Sequence, residues 1–281
     1  MAAPAPRQFV AGTAPAIRGE VAGEGPAIVL CHGITATRRY VVHGSRALER
    51  AGHAVVTYDA RGHGESDPAP EGEGYGYPRL VADLEAVVEE TVGGGPFLLG
   101  GHSMGAHTAA AYALAHPERV AALALIGPTY IGPASEQSLS YWDGLADALA
   151  EGGIEGFVDY IDREQGIDSA WRDSVRRFTR ERLLRQQNPD ALIEALREVP
   201  RSRPFGSMAD LERLRMPALV VGSGDEADPG HPYEAAAAYA QSLPYGKLVS
   251  EGEGESPLAW QGGRLSRALA AFYKEALSSP I

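Results

Sequence analysis

Short apolar runs recur along the chain, and most of them end in glycine or aspartate. AIVLCHG (27–33), AVVTYDARG (54–62), FLLGGHS (97–103), VAALALIGP (120–128) and ALVVGSGD (218–225) each hold a strand-forming stretch bounded by turn chemistry. Apolarity without alternation predicts strands buried on both faces of a parallel sheet. KLVS (247–250) adds one more. Between the runs, apolar positions fall on the helical period. SRALERAG (45–52) carries a glycine stop, YPRLVADLEAVVEETVGGG (77–95) puts Leu80, Leu84, Val87 and Val88 on one face, and GRLSRALAAFYKEAL follows the last strand. Strand alternating with helix predicts an α/β fold with a mostly parallel central sheet.

Residues 129–210 break this rhythm. SYWDGLADALAEGG, EGFVDYIDRE, AWRDSVRRFTRERLLRQQ and PDALIEALREVP read as successive helices with no strand between them. The expectation is a helical cap over residues 129–210, set on a core made of 1–128 and 211–281. Ligands in open α/β sheets bind beyond the C-terminal strand ends, which such a cap would cover. Helices that merely extend the core are the other reading.

Composition narrows the partners. The 281 residues carry 37 Asp plus Glu against 25 Lys plus Arg, a net charge of −12. An acidic surface repels nucleic acid and anionic membranes, so neither is expected as a partner. The N-terminal stretch has no basic segment leading into a signal-like apolar run, and no segment approaches the roughly 18 apolar residues of a membrane span. A soluble cytoplasmic protein is expected. The one cysteine, Cys31, lies in a strand run and is read as a buried thiol.

The candidate chemistry begins at GHSMG (101–105), between the strand FLLG and the helix AHTAAAYALAHP. A G-x-S-x-G serine on a strand-to-helix turn has a strained backbone, and small residues on either side relieve the crowding. The turn lifts the Ser103 hydroxyl out of the sheet and aims free helix N–H groups at developing negative charge. HGI (32–34) closes an earlier strand, and the N–H groups of Ile34 and Met104 together suit an oxyanion hole. DARGHGES (59–66) reads as a self-bonded structural turn with a binding loop as its alternative.

HGI, DARGHGES, GHSMG and GSGD (222–225), in this order and spacing, resemble the α/β-hydrolase family over about residues 17–275. The resemblance implies a nucleophile at Ser103, oxyanion donors at Ile34 and Met104, and an orienting acid at Asp225. It also implies a cap between the sixth and seventh strands, and a histidine in a G-x-G-H-like turn after the last strand. That turn here reads GEGE (252–255), so Glu255 stands where the histidine belongs, and no histidine follows His231.

Three readings of the base stay open. His231, in GDEADPGHP, keeps the order nucleophile, acid, base, and an imidazole near pKa ~6.5 suits proton transfer from serine. Asp225 or Glu255 would orient its ring, with Asp228 as a rival acid; otherwise His231 caps the following helix or meets solvent. Glu255 itself could be the base if burial raised its pKa, which fits elimination or decarboxylation better than acyl transfer. Or there is no base, and the chain is a small-molecule binder on a hydrolase scaffold. The other histidines carry weaker signals. His102 is read as pointing away from Ser103 in a structural or pocket-lining role, and His32 as bonding the oxyanion loop. His43, His53, His107 and His116 fall on helices or helix ends. Motifs for metal or phosphate are absent, so no cofactor and no metal are expected. The leading reading is a carboxylesterase-like serine hydrolase acting on small to medium carboxylic esters through an acyl-enzyme at Ser103. Tyr40, Tyr130, Tyr141 and Trp142 are the expected pocket walls.

Overall fold

A computed structural model describes residues 5–167, 169–224 and 228–278. The apolar runs form β3 (Ala27–Cys31), β4 (Ala54–Tyr58), β5 (Phe97–His102), β6 (Val120–Ile126) and β7 (Ala218–Val221), followed by β8 (Gly246–Val249). Two strands precede them, β1 (Arg7–Ala11) and β2 (Ile17–Ala22). Together they make an eight-stranded sheet in the order β1-β2-β4-β3-β5-β6-β7-β8. β1 and β2 are antiparallel to their neighbours, and every pairing from β4 to β8 is parallel.

Both faces of the parallel strands are covered, as their unbroken apolarity requires. Val29, Val56, Leu99, Leu123 and Val220 face a core shared with α2 (Tyr77–Thr91), α3 (Met104–Ala115) and α7 (Tyr233–Ser242). Ile28, Val55, Leu98, Ala122 and Leu219 face the other way, toward α1 (Ala47–Arg50) and α8 (Gly262–Ser278). Each buried Val, Leu or Ile among them contributes on the order of 1.5–3 kcal/mol. β1 and β2 leave only a faint pattern in the sequence, because their burial alternates and their polar residues face water. The helix expected over 45–52 shrinks to the four residues of α1.

Between β6 and β7 lie α4 (Glu136–Glu164, broken at Gly153), α5 (Ser169–Leu183) and α6 (Pro189–Glu198), with no strand among the described residues there. Their apolar faces form a third core, in which Leu145, Phe157, Ile161, Leu192 and Leu196 join Ile34 and Met104 of the sheet domain. The insert therefore packs on Ile34, in the loop after β3, and on Met104, which follows the serine. The loop after β4 is a bonded structural turn. Arg61 grips the buried Asp83 through two 2.7 Å hydrogen bonds, and the Ser66 hydroxyl donates to the Asp59 carbonyl.

Candidate active site

Ser103 lies at the bend between β5 and α3 with φ 54° and ψ −117°. A non-glycine residue at such φ stores about 1–3 kcal/mol of strain, which the surrounding structure must hold. The neighbours make that bend possible. A Cβ on Gly101 would lie 2.1 Å from the Gly105 carbonyl oxygen, and one on Gly105 would lie 2.2 Å from that of Cys31. The Ser103 carbonyl accepts the first helical bonds, from the N–H groups of Ala106 and His107, while its hydroxyl makes no capping bond. The hydroxyl is left available at the positive end of α3.

The loop after β3 is braced beside it. Ala60 donates its N–H to His32 Nε2, so Nδ1 carries the proton and donates to the Gly33 carbonyl at 2.8 Å. Burial, with His63 close by, pulls the His32 pKa down to about 4 and keeps the ring neutral. His63 reaches the Ile34 carbonyl from the other side. The backbone N–H groups of Ile34 and Met104 have no hydrogen-bond acceptor among the described residues.

Asp225 lies outside the described residues. Among those described, the carboxylate on the candidate base is Asp228, whose Oδ2 is 2.8 Å from His231 Nδ1. An ionised carboxylate only accepts, so Nδ1 holds the proton and Nε2 is left as the basic nitrogen. Burial disfavours the charged form of both groups, yet their mutual attraction outweighs it. Asp228 is held below the usual carboxylate range, and His231 is raised above 6.5. The His231 side chain does not cap α7, whose N-cap is Pro232 without a side-chain bond.

Ser103, Asp228 and His231 line one cavity of about 500 Å³. Its floor is the sheet side, from Gly33 and Ile34 to His102, and its roof is α4 and α5 of the insert. His102 has the pocket-lining place: its ring packs 5.0 Å from that of His231 and borders the cavity. Gly127 allows this, since a Cβ there would come within 3.2 Å of His231 and 3.5 Å of His102 Nε2. Tyr40, Tyr141 and Trp142 are among the residues lining this cavity. Tyr130 is not. His107 Nε2 accepts from the N–H groups of Thr129 and Tyr130, and this bend sends the Tyr130 ring against Phe205, where its hydroxyl donates to the Phe205 carbonyl. His43, Trp260 and Arg182 also line the cavity, and none sits in a local motif that would single it out in the sequence.

The sequence profile described as alpha/beta hydrolase fold matches residues 26–255 of this chain. The chain belongs to the α/β hydrolase family. One α/β hydrolase relative is a 2-hydroxy-6-oxononadienedioate/2-hydroxy-6-oxononatrienedioate hydrolase from Burkholderia vietnamiensis, 37% identical over 71% of this chain and 70% of its own. A putative 2-succinyl-6-hydroxy-2,4-cyclohexadiene-1-carboxylate synthase from Bacillus subtilis is 29% identical over 75% of this chain and 78% of its own. An sn-1-specific diacylglycerol lipase from Mus musculus matches at 34% identity, but the match spans only 34% of that protein. Among solved structures, a thermophilic esterase from Thermogutta terrifontis superposes with a TM-score of 0.77 at 21% identity, over 96% of this chain and 99% of that one, a likeness of fold.

This α/β hydrolase departs from the expected pattern after β8. Glu255 is exposed, accepts the Gly252 N–H at 3.0 Å and pairs with Arg264, which holds its carboxyl below the usual range. It is not among the cavity residues, and a base would need the opposite shift. Glu255 thus stands apart from the groups that share the cavity with Ser103. The same turn instead uses Glu251 as a brace, accepting from the N–H groups of Gly224 and Leu258 and so tying the β7 loop to the segment that delivers Trp260.

Proposed function

We propose that the protein is a serine hydrolase of carboxylic esters, with Ser103 as nucleophile, His231 as general base and Asp228 as its orienting acid. The observation that carries this reading is the His231–Asp228 hydrogen bond, which leaves Nε2 basic in the same cavity as the strained serine. Ser103 Oγ attacks the ester carbonyl as His231 Nε2 takes its proton. The N–H groups of Ile34 and Met104 stabilise the oxyanion, a contribution of about 10²–10³ in rate per donor in comparable sites. The tetrahedral adduct collapses as the imidazolium returns the proton to the leaving alcohol, and water then releases the acyl group by the same route. The α4–α6 insert acts as the cap, its apolar surface suiting a small to medium acyl chain. The hydrolase from Burkholderia vietnamiensis supports hydrolytic chemistry at a coarser level, and the synthase from Bacillus subtilis is a relative with a different activity.

Labelling by a fluorophosphonate and turnover of short 4-nitrophenyl esters test this directly. Ser103→Ala should abolish labelling, and both Ser103→Ala and His231→Ala should lower kcat by about 10³-fold or more. A wild-type protein that neither labels at Ser103 nor turns over any ester is a binder on a hydrolase scaffold, and the proposal fails.

A further inference from the structure

Arg182 stands in the last turn of α5 and lines the cavity that holds Ser103 and His231. Its Nη2 donates to the buried Thr179 hydroxyl at a long 3.3 Å. Its Nε is buried with no hydrogen-bond partner, and no described carboxylate comes within ion-pair distance of the guanidinium. Among the described residues two acids line the cavity: Asp228 holds His231 and attracts Arg182 only from beyond ion-pair distance, and Glu164 pairs with Arg163. Burial pulls the Arg182 pKa below its ordinary value, while an arginine still keeps its charge at neutral pH. The charge reaches the reaction centre, since it disfavours protonation of His102 and His231.

A cation in the last turn of a helix gains from the macrodipole, but that gain is available in water and gives no reason for burial. A half-buried guanidinium whose Nε is fully buried without a hydrogen bond, and which has no ion pair among the described residues, is costly to the fold on its own. Its planar fork fits a carboxylate, and one positive charge balances one negative one. We infer that Arg182 binds a carboxylate on the substrate, so that the preferred esters carry a free acid group besides the ester that Ser103 attacks. This rests on the serine-hydrolase reading for its chemistry, though not for the binding of the anion.

The test compares 4-nitrophenyl butyrate with 4-nitrophenyl half-esters of succinate, glutarate and adipate, which place the acid in the acyl part. Phenyl butyrate against 4-butyryloxybenzoate places it in the alcohol. In one of the two series the wild type should favour the acid-bearing ester at least about tenfold in kcat/KM. That ratio should fall about tenfold to a hundredfold in Arg182→Gln, chiefly through KM, and recover in part in Arg182→Lys. Thermal melts supply a second readout: Arg182→Gln should melt no lower than wild type, and millimolar glutarate should raise the wild-type Tm but not the variant's. Ester turnover with no preference for the acid, or with a preference untouched by Arg182→Gln, overturns the inference while leaving the esterase reading intact. If no ester is turned over, the melts decide: a glutarate shift that needs Arg182 upholds the anion site, and its absence removes it.

Discussion

Asp228 holds His231 by Nδ1 and leaves Nε2 bare, and this asymmetry governs how activity should follow pH. The base must be neutral to act, so kcat/KM should rise with pH and reach half its plateau above 6.5, because Asp228 raises the ring's pKa. Asp228→Asn should move that midpoint down and lower kcat by about 10²–10⁴-fold, since the amide no longer fixes the tautomer. Stability runs the other way. His231, raised in the fold, contributes fully below its unfolded value of ~6.5 and loses that contribution as pH climbs through its folded value. Asp228, depressed in the fold, contributes fully above ~3.9 and loses it as pH falls through its folded value. The pair should therefore add most to Tm between about pH 4 and 6.5, on the acid side of the activity plateau, and melts of Asp228→Asn across that range should lack the increment. Ser103 was legible from its pentapeptide because the strain of the turn demands small neighbours. Asp228 was legible only as a rival to Asp225: which of several loop carboxylates meets the imidazole depends on backbone bends that no local pattern encodes.

At the level of elements, the bend between β5 and α3 is the least forgiving feature. The hydrogen that Gly105 presents to the Cys31 carbonyl has no room to become a methyl group. Gly105→Ala should destabilise the protein by about 1–3 kcal/mol, read from urea midpoints, and should cost activity beyond that by displacing Ser103 and the Met104 N–H. The parallel strands were readable because burial on both faces leaves unbroken apolar runs with glycine or aspartate at their ends. β1 and β2 were not, because RQFVA and IRGEVA show one face to water and alternate too briefly to stand out. Tyr130 was misplaced for a related reason. Its position after β6 pointed to the cavity, but His107, a buried ring with no motif around it, gathers the two backbone N–H groups there and turns the side chain inward.

For the whole molecule, the insert and the sheet domain depend on each other through a shared core. Phe157 belongs both to that core, where it is 1% exposed, and to the cavity wall. Phe157→Ala should cost about 3–5 kcal/mol in global stability and enlarge the roof, so that KM for short esters rises while the fluorophosphonate still labels Ser103. A further consequence concerns how the chain assembles its proton relay. Carboxylate and imidazole are three positions apart in a single loop, so their meeting carries almost no loop-closure entropy. Only one long-range encounter remains, that between this loop and the nucleophile. A relay packaged so compactly can be moved as a piece: transplanting the segment onto a related scaffold would transfer acid and base together, leaving one distance, to the serine, to be adjusted.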